Sequence, residues 1–250
     1  MPTVAVVIPC YNYARFLPDA VASVRAQTRP ADELVVVDDG STDDTVAVAQ
    51  SLGVRVIAKR TGGLASARNA GASAVKSDLV VFLDADDELH PTYLERCVAA
   101  WEEAGERTFV YTQWQETGTG DAVSAWPAFD VDRLLEWNYV HASALIPRAA
   151  VLENPYRHLR VGWEDWDFYL GLVQRGYSGV LVDEPLLLYR QHGASMIDRL
   201  YASDVKRRYA LAVLAVRHLP LYGPRLAWRR VWAVGTGVVA AVGRRLRRRS

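Results

Sequence analysis

Along the first half of the chain, short uninterrupted apolar runs alternate with stretches whose apolar residues recur at helical spacing. TVAVVIP at 3–9, ELVVVDD at 33–39, VRVIAK at 54–59 and LVVFLDA at 79–85 are runs of the first kind, and each predicts a strand buried on both faces. Between them, RFLPDAVASVRAQT at 15–28 sets Phe16, Ala20, Val21 and Val24 on one helical face. LASARNAGASAV at 64–75 predicts a small-residue helix after a Gly62-Gly63 turn, and the STDDT stretch at 41–45 reads as a helix N-cap ahead of VAVAQSL. Strand and helix in alternation predict an α/β, Rossmann-like fold with a mostly parallel central sheet flanked by helices.

The second half is less regular. FVYTQWQET at 109–117 and SALIP at 143–147 predict strands, WEDWDFYLGLVQRG at 163–176 a helix stopped by glycine, and GVLVDEPLLLYRQH at 179–192 two extended pieces around Pro185. With no internal repeat and no low-complexity linker, the expected organisation is one domain over 1–200 and a basic helical tail over 201–250.

Composition narrows the class. Half of the 250 residues are apolar and 23% are charged, the mix of a folded protein. Cys10 and Cys97 follow no metal or disulfide spacing and read as core thiols. TVAVVIP is too short for a signal peptide, so the expected compartment is the cytoplasm. The formal charge of zero hides an asymmetry: no acid follows Asp204, and the residues up to it carry 17 bases against 29 acids. An acidic body therefore precedes a basic tail. The uncharged stretch 231–243 between arginine clusters is shorter than the about 20 residues a bilayer span needs. Such a tail can lie on the inner face of an anionic membrane, pack on the acidic body, or stay unstructured. Nucleic acid is disfavoured because the final basic segment lacks interleaved aromatic planes.

Parallel sheets bind ligands at the carboxyl ends of their strands, and three strand ends here are polar: Pro9-Cys10-Tyr11-Asn12, Asp38-Asp39-Gly40-Ser41 and Asp84-Ala85-Asp86-Asp87. In an extended chain Asp84 and Asp86 face one side while Ala85 keeps the turn compact. That suits a hard cation, Mn²⁺ or Mg²⁺, carrying a diphosphate. A helix start before Pro91, capped by Asp87 or Glu88, fits the same residues equally well.

The resemblance decides between them. VVIPCYN, VVVDDGSTDDT, GGLASARNAG and VVFLDADDEL, in that order, resemble the family 2 glycosyltransferases of GT-A fold, and WEDWDF and YRQHGAS look like that family's acceptor-side and phosphate-side motifs. The likeness covers roughly 3–197. It implies an inverting, metal-dependent transfer of a sugar from a nucleotide diphosphate sugar, expected to be a UDP-sugar, to a hydroxyl of a glycan, polysaccharide or glycolipid acceptor. Residues 1–105 would hold the donor and 106–200 the acceptor. The resemblance assigns Asp165 as catalytic base, with Glu164 orienting it or the acceptor, and Asp39 as reader of uracil.

The remaining assignments follow residue chemistry. Tyr11 offers a face to a nucleobase, with Pro9 shaping the loop and Asn12 beside it at the same strand end. Arg68 and Asn69 follow a turn where small residues admit close approach, or Arg68 is a solvated helix arginine. Asp86 is the expected metal ligand, Asp84 a ribose or metal contact, and His192 a third ligand. Arg190 suits a diphosphate, with Ser195 just beyond. Trp163 and Trp166 flank the Glu-Asp pair as candidate acceptor contacts, whereas His90, His141, His158 and His218 read as structural. Two rival readings are a sugar-nucleotide-forming nucleotidyltransferase, against which no glycine-rich GxGxR-type loop follows the first strand, and a non-catalytic binding module, which has no need of Asp165.

Overall fold

The computed structural model describes residues 1–159, 162–192, 203–228 and 230–232. Its elements run β1 (Val4–Cys10), α1 (Leu17–Arg25), β2 (Glu33–Asp38), α2 (Thr45–Ser51), β3 (Arg55–Ala58), α3 (Leu64–Ala74), β4 (Leu79–Phe82), β5 (Glu88–Leu89) and α4 (Tyr93–Ala104). They continue with β6 (Thr108–Gly118), α5 (Val131–Glu136), β7 (Leu145–Pro147), α6 (Arg148–Glu153), α7 (Glu164–Gln174), β8 (Ser178–Gln191) and α8 (Asp204–Arg217). One sheet of order β3-β2-β1-β4-β7-β6-β8-β5 carries them. The first four apolar runs pair in parallel; β1, β2 and β4 are largely buried, whereas β3, at the sheet edge, is partly exposed rather than covered on both faces, and β7 is antiparallel to both β4 and β6.

Alternation along each central strand feeds two cores. Ala5, Val7, Val35, Val37, Val80 and Phe82 face a layer built from α3, α5, α6, α7 and α8; Val4, Val6, Ile8, Val36, Leu79 and Val81 face α1, α2 and α4. Each such side chain stabilises the fold by about 1.5–3 kcal/mol relative to exposure.

Helix α3 lies unusually close to the sheet, which is why its residues are small. A Cβ added at Gly71 would come within 2.3 Å of Val7 Cγ1 and 3.2 Å of Val37 Cγ2. Both valines are branched on strands and stiff at χ1, so neither can swing aside. Gly71→Ala should therefore cost about 1–3 kcal/mol by overpacking, measured as a lower denaturation midpoint at unchanged slope. A midpoint equal to that of the native protein would show that α3 is free to move.

Two local expectations need correction. The 179–192 segment is a single strand rather than two pieces: Pro185, which has no N–H to give, sits opposite Gln113 in a register shift, and Gln113 Nε2 donates to Asp183 Oδ1 at 2.8 Å to support the bulge. The N-cap of α2 falls within the STDDT stretch, at Asp44, and Asp43 Oδ1 takes the Thr45 N–H at 3.1 Å. The DADD cluster is not a helix start, because α4 begins at Tyr93. In the basic tail, α8 and residues 219–228 are helical, as expected.

Candidate active site

The carboxyl ends of β1, β2 and β4 meet at one edge of the sheet. Asn12, at φ 58°, ties two of them together: its backbone N–H donates to Ser41 Oγ at 2.9 Å, and its Oδ1 accepts from Thr42 N at 2.8 Å. Beside it Tyr11 stands 48% exposed, its ring presented to solvent above Cys10. Pro9 is inside β1, paired with Val37.

Asp84 to Asp87 form a turn rather than an extended run, closed by Asp87 N donating to Asp84 O at 3.0 Å. The turn separates the carboxylates, and each meets a different partner. Asp84 Oδ1 accepts from Arg68 Nη2 at 3.1 Å, Asp86 Oδ2 lies 2.8 Å from His192 Nε2, and buried Asp87 accepts the Arg190 N–H at 3.0 Å. Burial raises the pKa of Asp86 and the charge on Asp84 adds to this, while the His192 contact opposes it. Burial, Asp84 and Asp86 together push Asp87 well above the ordinary carboxylate value. Ala85, at the turn's centre, is buried and lets it stay tight.

His192 is held in place by rings from the first loop, with Phe16 at 4.5 Å and Tyr13 at 5.7 Å between centroids. Arg190 is already engaged: its guanidinium donates to Glu88 at 2.7 Å, Asp19 at 2.8 Å and the Asp86 carbonyl at 3.1 Å. Ser195 lies outside the described residues.

Arg68 is not a solvated helix residue. It is 1% exposed, its Nη1 donates to Glu164 Oε1 at 3.4 Å while Nη2 holds Asp84, and its charge lies 5.3 Å from the Tyr156 ring. Burial disfavours its charge, but Asp84, Tyr156, Glu164 and Asp165 more than offset this and raise its pKa above the usual guanidinium value. Its Nε has no hydrogen-bond partner although buried. Asn69, one residue on, exchanges hydrogen bonds with the Tyr156 backbone at 2.8 and 2.9 Å, so it fastens α3 to that loop.

Asp165 sits on the first turn of α7. Burial and the charge of Glu164 push its pKa up to about 6, against the lowering effect of Arg68. Its carboxylate takes the Trp166 N–H at 2.8 Å and, from a loop after α5, the Asn138 amide at 3.0 Å. Nothing in the sequence pattern marked Asn138. The residue before the pair, Trp163, is left-handed at φ 67°, an uncommon conformation for a non-glycine residue and one that collects at functional sites. Both tryptophans are corrections: Trp163 is 8% and Trp166 2% exposed, they pack on each other in the core, and the Trp166 indole donates to Leu134 O at 2.7 Å, so neither offers an open sugar platform.

Asp39 also differs from expectation. Its carboxylate is 4% exposed and receives the N–H groups of Gly62 at 2.9 Å and Gly63 at 2.7 Å together with the Lys59 ammonium, so its acceptor capacity is taken up within the chain.

Two residues past Asp165, fully buried Asp167 gathers Arg157 at 2.8 and 2.9 Å, Arg217 at 3.2 Å and His218 at 3.0 Å. Burial would raise its pKa, but these partners hold it below the ordinary value. His218 is thus structural, as expected, and joins α8 to α7. His141 is partly buried, and loss of solvent around its ring lowers its pKa to about 4.

The model of one family, Glycosyl transferase family 2, matches residues 5–144. The chain belongs to that family. It is 31% identical over 211 residues to an uncharacterized glycosyltransferase of Nostoc sp., covering 77% of this chain and 66% of that protein. It is 31% identical over 186 residues to a chondroitin synthase of Pasteurella multocida, covering 70% of this chain and 19% of that one. The chain thus spans between about a fifth and two thirds of these relatives' length. Among solved structures, S. aureus TarS 1–349 in complex with UDP-GlcNAc superposes with a TM-score of 0.73 at 17% identity, over 94% of this chain and 71% of that one. Glucosyl-3-phosphoglycerate synthase from Mycobacterium tuberculosis, in complex with Mn²⁺, UDP and glucosyl-3-phosphoglycerate, does so with 0.63 at 22% identity, over 86% and 80%. The glycosyltransferase has their GT-A fold.

Proposed function

We propose that this glycosyltransferase is an inverting, metal-dependent enzyme that moves a sugar from a UDP-sugar to a hydroxyl of a glycan, polysaccharide or glycolipid acceptor, on the cytoplasmic side of a membrane. Residues 1–105 would serve the donor, 106–200 the acceptor and 201–250 an accessory arm. The observation that carries the reading is Arg68, which joins Asp84 on the donor side to Glu164 beside Asp165, so that the carboxylate turn and the base belong to one site.

In this reading Asp165 accepts the hydroxyl proton as the acceptor oxygen bonds to the anomeric carbon. The bond from that carbon to the diphosphate breaks on the opposite face, and the nucleoside diphosphate leaves with the electron pair, inverting the centre. Asn138 holds the base in orientation, and Glu164 with Arg68 sets its charge. Tyr11 stacks on the nucleobase between Pro9 and Asn12, Asp39 reads the base once Lys59 yields its place, and Trp163 backs the acceptor side from within the core. Arg190, Ser195 and Asn69 line or support the phosphate side.

The donor set fits a divalent cation only in part. Among the described residues no cluster of three or more His, Cys, Asp and Glu side chains is gathered as a complete cage. Asp86 and His192 are in contact, and this oxygen donor and imidazole would be the residues to hold Mn²⁺ or Mg²⁺. Asp84 is turned to Arg68 and would join through its charge. A bound cation supplies neutralisation of the departing diphosphate.

The test is a panel of UDP-, GDP- and dTDP-sugars with acceptor mixtures, following release of the nucleoside diphosphate. We expect UDP release that needs Mn²⁺ or Mg²⁺ and stops with chelator. Turnover indifferent to chelator would overturn the metal assignment, and preference for GDP- or dTDP-sugars the uracil assignment.

A further inference from the structure

The arm beyond Ser203 has one face covered by the domain and one that is not. Residues 219–228 and 230–232 are helical. On the covered side Tyr222 is buried and its hydroxyl donates to Leu135 O at 3.0 Å; Arg230 donates to the same carbonyl at 3.0 Å and lies over the Tyr222 ring. On the other side Trp228 and Trp232 stand 65% and 67% exposed, four residues apart and so on one helical face, with exposed Arg225 three residues before. Tyr209 and Val216 on α8, and Leu219 just after it, are exposed as well. Of the ten large apolar side chains exposed among the described residues, these five fall between 209 and 232. Exposed hydrophobics scattered singly need no explanation, but two indoles side by side on one helical face, with Arg225 beside them, mark an interaction surface.

The chemistry of the patch selects its partner. Indole rings are amphipathic and favour the headgroup level of a bilayer. Val216 and Leu219 are aliphatic, gaining from an apolar phase and having no plane to stack on a base. After Asp204 the sequence holds twelve Lys and Arg and no acid, whereas the preceding body is acidic. An anionic surface would attract this arm at roughly 1 kcal/mol per basic residue, and would repel the body. Attraction and repulsion together allow one orientation. Among the described residues no helix is long and apolar enough to cross a membrane, so the contact lies in the interface plane.

We propose that the Trp228–Trp232 face seats this enzyme on an anionic phospholipid surface. The proposal deepens, and rests on, the reading that the enzyme works at a membrane face. It is tested by flotation of the full chain with vesicles of phosphatidylcholine alone and of phosphatidylcholine with an equal part of phosphatidylglycerol. The native chain should float with the mixed vesicles only. Trp228→Ser/Trp232→Ser should reduce the bound fraction at least about tenfold, equivalent to about 1.4 kcal/mol, and Trp228→Phe/Trp232→Phe should restore most of it. Both variants should keep the native rate of UDP release with a water-soluble acceptor. Equal flotation of the serine variant and the native chain would overturn the proposal. So would a native chain that does not float, or a tryptophan-dependent affinity for single-stranded nucleic acid exceeding that for the vesicles. Lipid binding is read without turnover and turnover without lipid, so failure of this proposal and failure of the transferase reading are distinct results.

Discussion

Asp165→Asn should lower the transfer rate by about 10³-fold while leaving the affinity for UDP unchanged, the middle of the range a positioned general base supplies. The substitution keeps the shape that Asn138 and the Trp166 N–H hold in place and removes only the capacity to take a proton. The native enzyme should also show the base directly in its pH profile. A carboxylate with its pKa raised to about 6 is protonated, and idle, below that value. The transfer rate should therefore fall about tenfold per pH unit below pH 6 and level off above it. In Asp165→Asn this acid limb should vanish from the residual rate. A variant that retains full transfer, or a native profile flat through pH 5, would remove Asp165 from the role.

The second large effect is expected at Arg68. Replacing it with methionine keeps most of the volume but leaves Asp84, Glu164 and Asp165 without the cation that faces them. Breaking a buried ion pair from one side costs about 3–5 kcal/mol. Because the orphaned Asp84 side chain is 36% exposed and can find water, the lower end is expected. For a chain of this size that lowers Tm by about 6–12 °C. Arg68 also holds down the pKa of Asp165, so its loss should move the acid limb to higher pH. Lysine should not rescue, since one ammonium cannot fork between Asp84 and Glu164 as the guanidinium does. An unshifted limb together with a native Tm would show that Arg68 is dispensable to both.

The central strands were legible because burial on both faces writes itself as unbroken apolar runs. The three polar strand ends were legible for the related reason that a parallel sheet collects its loops at one edge. What the pattern could not carry was pairing across long separations. Arg68 meets Asp84 and Glu164 from 16 and 96 positions away, and no local periodicity records either contact. The DADD turn defeated the two-residue rule because that rule presumes an extended chain. Pro185 looked like a break, yet a bulge opposite Gln113 lets the strand continue through it. Trp166 looked like a sugar platform because composition places aromatics without saying which way they face. Asn138 carried no signal, being one polar residue in an irregular segment.

The ring of partners around Asp167 has a mechanical consequence. That carboxylate is fully buried; Arg157 and Arg217 balance its charge, and His218, next to Arg217 at the end of the first tail helix, adds a hydrogen bond. A displacement of α8 must either strip the carboxylate of those partners or drag α7 along with it. Because Asp165 rides on the first turn of α7, a load applied to the arm reaches the base as torque.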